Sequence, residues 1–430
     1  MGMFIALMFI GLPLPFAMLF PAAIGILYIR TPAIAGQMLA NEIFNTFTSY
    51  AFTVGPIFAM MGFFASYSGV GTNLFVAINA FLGHRRGGLA MATQVASAGF
   101  GAICGSPPAS ITTFAAIAYP EMRKLGYHPS LAGASVPAGA ALSVLIPPSG
   151  TLIIYGIITE NSIGRLFMAG IVPGVMLCVL NIFAIAWMCW RHPEWGPATH
   201  KHSRAEKIAS LRKGGLIEIV IVFLISMGGM FMGVFTPTEA GAVGALGMLI
   251  CTLVTRKMSR RSFVSAMMAS VRTNAMLFLL LAGGQMLGKL FTVATIPQVI
   301  GRTIQGLDIP GWGIVIVIFV VFFLLGLVVD LLSIVIVTMP IFYPIVVNYL
   351  GYDPMWFGVA LVYLISIGGI TPPVGNGIFI MKGVINDEEA TIGALFRGVW
   401  PFVIAAVAGL LVMLAFPPIV TALPDFYFGR

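Results

Sequence analysis

Apolar segments long enough to cross a membrane follow one another along almost the whole sequence. The first runs from Met3 to Ile29, ahead of the first charged residue, Arg30. A transmembrane helix needs roughly 20 apolar residues, whereas a membrane β-barrel would show alternating segments of about 10. Only 8% of the residues are charged, against about 25% in soluble domains. The sequence therefore predicts an all-α polytopic membrane protein.

Four basic segments predict how the chain is oriented in the membrane. They comprise residues 85–86, 123–124, 191–213 and 256–261. Short loops rich in Lys and Arg stay in the cytoplasm, so these segments are expected on the cytoplasmic face, and they account for the net charge of +8. No basic residue precedes the first apolar segment, which we therefore interpret as a retained helix rather than a signal peptide.

Four apolar segments are interrupted near their centres. Segments 87–120 and 312–347 are expected to be re-entrant helical hairpins, and segments 129–158 and 355–383 are expected to be broken helices. Unwound backbone in hydrocarbon costs several kcal/mol for each unpaired group, so it persists where water, an ion or a substrate satisfies those groups. Continuous helices are expected at 3–28, 50–67, 166–190, 216–233, 238–255, 266–288 and 398–418.

A motif repeats at a constant offset of 225 residues and relates two halves of the chain. The matched elements are Gly126-Tyr127-x-Pro129 with Gly351-Tyr352-x-Pro354, Pro147-Pro148-x-Gly150 with Pro372-Pro373-x-Gly375, and Gly101 with Gly326. An odd number of expected crossings separates equivalent points, so the halves are predicted to be inverted, and paired broken helices in inverted repeats indicate a transporter site near the midplane. The expected division is a scaffold helix and connector at 1–49, a first repeat at 50–190, a cytoplasmic loop and linking helices at 191–265, and a second repeat at 266–430.

Polar side chains beside the interruptions are the candidates for binding. Freed carbonyls and hydroxyls can coordinate Na⁺, while half-helix N-termini suit a carboxylate. Asp330 is the most informative, because a carboxylate inside a membrane segment is a functional candidate; the alternative is a hydrogen-bonded tip residue. For the hydroxyls the alternative is helix capping, and Glu239 is equally well explained as a helix-start carboxylate. The candidate substrate-binding residues are Ser106, Ser110, Ser149, Thr151, Thr238 and Asn376.

The histidines and cysteines give no support for an enzyme. The five histidines, His84, His128, His192, His200 and His202, fall in or beside predicted loops, and the four cysteines fall in apolar segments without a CxxC pair. Neither an HExxH motif nor a P-loop is present. A metalloprotease, a histidine proton relay and ATP-driven transport are therefore not expected.

With these residues in view, the chain resembles the large membrane subunit of tripartite ATP-independent periplasmic (TRAP) transporters over nearly its whole length. It departs from the pattern at Pro107 and Pro108, which remove two N–H donors from the first hairpin, and at Leu331-Leu332 after Asp330. The strongest elements are Gly105-Ser106, Tyr119-Pro120-Glu121-Met122, Ile146-Pro147-Pro148-Ser149, Thr159-Glu160, Phe235-Thr236-Pro237-Thr238-Glu239-Ala240, Asp330 and Thr371-Pro372-Pro373-Val374-Gly375.

The resemblance implies an elevator-type transporter, in which the hairpins and broken helices slide against a scaffold while Na⁺ drives uptake of an organic anion, a carboxylate or a sulfonate. It also implies two partners, a small four-helix membrane subunit and a periplasmic binding protein. The sodium ligands that it implies are Ser106, Pro147, Ser149, Gly326, Asp330, Thr371, Pro373 and Asn376. A stand-alone sodium-coupled dicarboxylate symporter and an ion channel remain the alternatives.

Overall fold

A computed structural model describes residues 2–212, 216–305 and 309–429 of the chain. These residues form α-helices and short helical turns, with no β-strand among them. Within the described ranges, seven helices are long and apolar enough to cross a membrane. The predicted all-α polytopic fold is therefore confirmed. Lys213, at the end of the predicted basic loop, lies outside the described residues.

The N-terminal region contains more helices than the sequence predicted. The expected helix 3–28 is divided in two at Gly11, which has a φ of +86°, and at Pro13, which precedes the second helix. The expected connector is itself helical, and its polar residues do not end the helix. One of them, Glu42, forms an ion pair in which Oε1 lies 3.4 Å from Nζ of Lys289. These helices are α1 (Gly2–Phe9), α2 (Leu14–Ile29), α3 (Pro32–Thr48), α4 (Val54–Tyr67) and α5 (Val70–Leu82), of which α3 and α5 were not predicted.

The first hairpin and the first broken helix lie where the sequence predicted them. The hairpin turns at Gly105 and Ser106, and the broken helix is interrupted by a 3₁₀ turn (Ala141–Val144) followed by a turn and bends up to Ser149. Ser162 caps the next helix by accepting a hydrogen bond from the Arg165 N–H. The helices are α6 (Gly88–Cys104), α7 (Pro107–Lys124), α8 (Pro129–Ala140), α9 (Gly150–Ile158) and α10 (Ile163–Arg191).

The described residues of the segment that links the halves form three α-helices ahead of Arg260. Part of the expected polar loop is helical, as α11 (Arg204–Arg212), and it is followed by α12 (Leu216–Phe231) and α13 (Pro237–Val254). At the start of α13, Thr236 and Glu239 form a reciprocal capping box, in which each side chain accepts a hydrogen bond from the other residue's N–H. Helix initiation therefore accounts for the exposed Glu239.

The second half repeats the hairpin and the broken helix. The helix expected at 266–288 starts earlier, because Ser259 caps it and Arg260 and Arg261 lie in its first turn instead of a loop. The helix expected at 398–418 likewise starts after a Thr391 cap. The helices are α14 (Arg260–Val293), α15 (Ile296–Gln305), α16 (Gly311–Val328), α17 (Leu331–Tyr343), α18 (Pro354–Gly368), α19 (Asn376–Val384), α20 (Ile392–Ala415) and α21 (Pro418–Phe428).

The two broken helices run in opposite directions. Near the end of the first, the Tyr155 hydroxyl donates to the carbonyl of Pro354, at the start of the second, over 2.7 Å. Just before the first begins, Nε of Arg123 donates to Oδ2 of Asp387, just after the second ends, over 2.8 Å. Each broken helix therefore starts where the other ends, as inverted repeats require.

Equivalent glycine contacts join hairpin and broken helix in each half. A Cβ on Gly101 would lie 2.6 Å from Cβ of Ser143, and a Cβ on Gly368 would lie 2.8 Å from the carbonyl carbon of Gly326. Small residues permit such close backbone approach between membrane helices. Both pairs are related by the same 225-residue offset, so each hairpin packs on the broken helix of its own half.

Candidate functional site

The tips of the two hairpins meet the breaks of the two broken helices around one cavity of about 230 Å³, which we call the tip cavity. The first hairpin contributes Ser106 and the second contributes Asp330. The broken helices contribute Thr151 and Asn376. Four polar residues that are far apart in the sequence, all of them predicted binding candidates, thus line one space.

A second cavity of about 430 Å³ shares Gly105, Ser106 and Asp330 with the tip cavity. It extends towards α2, α4 and α14, where Phe58 and Asn274 line it. We call it the scaffold-side cavity. A third cavity, of about 590 Å³, lies between α4 and the first hairpin. Besides Ser106, the hydroxyl-bearing residues that line it are Ser66, Tyr67, Thr112, Thr113 and Thr273. Ser106 therefore lies where all three spaces meet.

The tip of the first hairpin is formed by backbone packed closely on the first break. Gly105 has a φ of +58°, and a Cβ at this position would lie 2.7 Å from the carbonyl oxygen of Pro148. Ser106 is the N-cap of α7, but its side chain makes no capping hydrogen bond. Capping therefore does not explain Ser106, whose hydroxyl is available to the cavities.

The other hydroxyls of the first half differ in what they do. Ser149 caps α9, because its hydroxyl accepts from the Leu152 N–H and donates to the Val144 carbonyl. Ser110 is fully buried, and its hydroxyl has no hydrogen-bond partner among the described residues. Capping thus accounts for Ser149, whereas Ser110 has unused hydrogen-bonding capacity close to the hairpin tip.

Asp330 caps α17 and also faces the cavities. Its Oδ2 accepts hydrogen bonds from the Ser333 N–H over 3.1 Å and from the Ser333 hydroxyl over 2.7 Å. The sequence placed this carboxylate deep in an apolar hairpin, but the residue is exposed and lines both the tip cavity and the scaffold-side cavity. The capping interpretation is therefore compatible with the functional one, which stays a prediction, since a capping carboxylate keeps lone pairs for other partners.

At the second break, one polar residue lines the tip cavity and another is buried away from it. Asn376 begins α19 and lines the tip cavity. Thr371 is buried, and its hydroxyl donates to the carbonyl of Ile367 over 2.6 Å. Each break contains a cis Pro–Pro peptide bond, at Pro147-Pro148 and at Pro372-Pro373.

Seven of the predicted site residues are not among those that line the tip cavity, namely Ser110, Pro147, Ser149, Thr238, Gly326, Thr371 and Pro373. Gly326 packs against α18, where a Cβ would lie 3.2 Å from the carbonyl oxygen of Ile365. Thr238 lies in the first turn of α13 and is not among the residues that line the three cavities, and the same holds for Pro373. The structure therefore does not bring Thr238 together with the other candidates.

Several polar residues that line the cavities were not predicted, among them Ser366 and Asn274. Ser366 lines the tip cavity, and its hydroxyl donates to the carbonyl of Tyr363 over 2.7 Å. Asn274 lines the scaffold-side cavity, and its Nδ2 donates to the Ser270 hydroxyl over 3.2 Å, while its buried Oδ1 has no partner among the described residues. An asparagine within an apolar helix is itself a signal, which could have identified Asn274.

The charged side chains that line the three cavities, among the described residues, favour a cation over an anion. Among the described residues that line the three cavities, Asp330 is the only Asp, Glu, Lys, Arg or His. The remaining oxygen-bearing groups that line the cavities are hydroxyls, amides and carbonyls. Hard cations prefer such oxygen ligands, whereas an anion would find no cationic side chain there.

Comparisons with known proteins agree with this architecture. In a solved structure, described as "Crystal structure of the Alcanivorax borkumensis YdaH transporter reveals an unusual topology", the fold is similar at a TM-score of 0.62 and 16% identity, over 92% of this chain and 90% of that chain. This likeness concerns the fold alone.

Relatives in sequence are more specific. The chain is 32% identical over 393 residues to a C4-dicarboxylate TRAP transporter large permease protein of Pseudomonas aeruginosa, which covers 91% of this chain and 90% of the relative. It is 30% identical over 418 residues to a 2,3-diketo-L-gulonate TRAP transporter large permease protein of Escherichia coli, covering 96% and 95%. The family model described as "Tripartite ATP-independent periplasmic transporter, DctM component" matches residues 1–419. The chain therefore belongs to the DctM family, the large membrane subunits of TRAP transporters, and is a multi-pass protein of the bacterial inner membrane.

Proposed function

We propose that this chain is the permease of a sodium-coupled importer of an organic anion, a carboxylate or a sulfonate. The observation that carries the proposal is the tip cavity, in which Ser106, Thr151, Asp330 and Asn376 converge without a cationic side chain. An anion that enters such a space needs a counter-charge, and a captured cation supplies it. The named substrates of the two relatives, a C4-dicarboxylate and a diketogulonate, are both organic anions.

The oxygen ligands fit Na⁺ on chemical grounds. Asp330 supplies the negative charge, and Ser106 and Asn376 supply neutral oxygens from the facing elements. Carbonyls at the breaks add ligands that the helices leave unpaired. Ser149 and Thr371 support these segments through their hydrogen bonds to Val144 and Ile367. Na⁺ is carried with the substrate in this proposal, so it is cargo of the cycle rather than a resident cofactor.

Sodium coupling supplies enough free energy for concentrative uptake. A tenfold inward gradient contributes about 1.4 kcal/mol for each ion. Inward movement of one net positive charge contributes about 2.3 kcal/mol at 100 mV. Two ions with one monoanion therefore provide roughly 5 kcal/mol, equivalent to a concentration ratio of several thousand.

The packing supports an elevator mechanism. Helices α2, α4, α13 and α14 pack on one another, and the broken helices pack with α10 and α20, while the hairpin helices α6 and α17 contact α4 and α14, respectively. The scaffold-side cavity lies between these groups, and Phe58, Leu277 and Leu280 give it an apolar wall. Such a wall makes few directional bonds, so one group can slide against the other. In this proposal a periplasmic binding protein delivers the substrate, and a small four-helix subunit extends the scaffold.

Reconstitution tests the proposal. The chain is placed in proteoliposomes with its small subunit and binding protein, and uptake of radiolabelled succinate and isethionate is measured with external Na⁺ or with K⁺ in its place. We expect uptake of at least one probe that requires Na⁺ and increases with an inside-negative potential. Equal rates in K⁺ would contradict the proposal.

The alternatives are distinguished in the same system. A stand-alone symporter would take up the probes without the binding protein. An ion channel would pass the probe without countertransport, whereas a carrier exchanges internal unlabelled substrate for external label.

A further inference from the structure

Two histidines and a glutamate come together in the segment that links the two halves. The ligand atoms of His200, His202 and Glu206 all lie within 4.8 Å of one another. Nδ1 of His202 lies 3.5 Å from Oε2 of Glu206. Ligands at 2.0–2.2 Å from a tetrahedral zinc ion are about 3.4 Å from each other. This pair already has the separation of two zinc ligands, and His200 is exposed, so rotation of its side chain can complete the set.

The carboxylate of Glu206 is held in position before any ion binds. The N–H of Ser203 donates to Oε2 of Glu206 over 2.7 Å, and the N–H of Glu206 donates to the Ser203 hydroxyl over 3.2 Å. This reciprocal pair is a capping box at the start of α11. A ligand that is oriented by a hydrogen bond from a neighbouring residue loses less freedom when it binds a metal.

The residues just before the histidines are fixed to the base of the first hairpin. The Thr199 N–H donates to the carbonyl of Gly83 over 3.0 Å, and the Gly87 N–H donates to the carbonyl of Gly196 over 2.8 Å. His200 thus leaves a segment that is anchored beside α5 and α6, while Glu206 belongs to α11. The cluster spans the junction between these two parts of the link.

We propose that His200, His202 and Glu206 bind a divalent transition-metal ion of the zinc type. Two neutral imidazoles and one carboxylate, with a water molecule as fourth ligand, form a common zinc ligand set. Imidazole favours zinc over magnesium and calcium, which prefer oxygen ligands alone. Lys201 and Arg204 flank the cluster and add positive charge, so we expect micromolar affinity, weaker than that of a closed structural zinc site.

Metal binding would join the anchored loop to α11 and stiffen the link between the halves. If the hairpins move against the scaffold, a stiffer link slows the movement. This consequence rests on the proposed function, whereas the binding site does not.

Calorimetry of the purified full chain tests the site. The protein, prepared with a tag that lacks histidine and stripped with EDTA, is titrated with ZnCl₂. We expect one ion per chain, and at least tenfold weaker binding in His200→Ala, His202→Ala and Glu206→Gln. Glutamine replaces glutamate at the N3 position of a capping box. Glu206→Gln therefore removes the carboxylate that would bind the metal while the start of α11 keeps its cap.

His192→Ala is the matched control. Nδ1 of His192 lies 3.4 Å from Oε1 of Glu194, so the same loop contains a second histidine–glutamate pair. No third His, Cys, Asp or Glu among the described residues completes a metal-ligand group there. We expect His192→Ala to bind zinc as the unchanged chain does. Absence of saturable binding, or equal affinity in the three site variants with their helical circular dichroism intact, would overturn the proposal.

Transport gives a separate measurement. Saturating zinc inside the proteoliposomes is expected to slow sodium-driven uptake by the unchanged chain and to leave Glu206→Gln unaffected. Unchanged uptake together with intact binding would overturn the stiffening of the link and not the site. Failure of the proposed sodium-coupled uptake would leave the calorimetric result untouched.

Discussion

Gly105 and Asp330 are 225 residues apart, at equivalent positions of the two repeats, and line the same two cavities. The backbone of Gly105 packs on the Pro148 carbonyl, whereas Asp330 caps a helix and presents a carboxylate. At these two positions the halves differ in backbone, with a φ of +58° at Gly105 and of −69° at Asp330, and they also differ in charge. We infer that a cation at the second tip gains a full charge interaction, while one at the first tip depends on neutral oxygens.

Replacement of Asp330 by Asn is predicted to abolish sodium-dependent uptake while the protein still assembles. Asparagine is as good an N-cap as aspartate, so α17 keeps its start. Loss of a charge-assisted ligand costs about 1.5–3 kcal/mol, which is roughly a 10- to 100-fold loss of apparent sodium affinity. Sodium-dependent uptake is therefore expected to be lost at the Na⁺ concentrations that half-saturate the unchanged chain. Uptake measured as a function of Na⁺ concentration gives this affinity.

Asp353→Asn is the matched control for Asp330→Asn. Oδ1 of Asp353 accepts a hydrogen bond from the Trp356 N–H over 2.8 Å and caps α18, and Asp353 is not among the residues that line the three cavities. We expect this variant to keep its sodium dependence. Full uptake and unchanged sodium dependence in Asp330→Asn would remove this carboxylate from the mechanism.

Gly105→Ala is predicted to reduce uptake and thermal stability together. An alanine at this position must keep the left-handed backbone conformation, which costs roughly 1 kcal/mol for a residue with a Cβ. Its Cβ would also lie 2.7 Å from the Pro148 carbonyl oxygen. Gly69→Ala separates these two effects, because Gly69 has a φ of +77° but a Cβ added there would have no atom of the described residues within 4 Å. Unfolding midpoints in detergent and initial uptake rates should fall further for Gly105→Ala. Equal effects of the two substitutions would mean that close packing at the tip is unimportant.

The sequence predicted the interruptions well because glycine and proline act locally. Gly105-Ser106 and the two Pro–Pro pairs lie within a few residues of the observed breaks. The repeat offset also related contacts that no local rule predicts, Gly101 with Ser143 and Gly326 with Gly368. Local chemistry and internal symmetry were therefore sufficient for the core of the fold.

Features that depend on tertiary packing could not be read from the sequence. Helix α3 was missed because the residues after the first apolar segment were expected to be a connector, yet Glu42 in this helix pairs with Lys289 of α14. Ser366 lies in a helix that is apolar around it, and only the packing of α18 turns it towards the tip cavity. The sequence could not show that Ser149 is a cap, because a hydroxyl at the start of a half-helix can serve as a cap or as a ligand. The structure shows its hydrogen bond from the Leu152 N–H.

Acid is predicted to weaken the contact between the first hairpin and the end of the second broken helix. Burial raises the pKa of Asp387, but hydrogen bonds from Tyr119 and Arg123 lower it by more, so the net pKa lies below the ordinary value of 3.8. A lowered folded-state pKa stabilises the protein above the unfolded-state value, and this stabilisation is lost as pH falls through the folded-state pKa. The loss therefore occurs below about pH 4.

Asp387→Asn measures that contribution. At pH 7 we expect a destabilisation of about 1 kcal/mol, the upper range for a partly exposed ion pair, seen as a lower unfolding midpoint. The difference from the unchanged chain should diminish below pH 4, where both chains lack the charge. A difference that does not change with pH would assign the effect to lost packing.

Cysteine labelling is predicted to place the equivalent ends of the two repeats on opposite faces of the membrane. Arg123 and Asp387 lie together, so the start of the first broken helix is on the same face as the end of the second. Lys124 and Asn348, both exposed, give Lys124→Cys and Asn348→Cys as labelling positions near Gly126 and Gly351. In a background without the four native cysteines, an impermeant maleimide added to intact spheroplasts should label Asn348→Cys. Lys124→Cys should react with it only after the spheroplasts are lysed. Labelling of both positions in intact spheroplasts would contradict the inverted orientation, and with it the assignment of the basic segments to the cytoplasm.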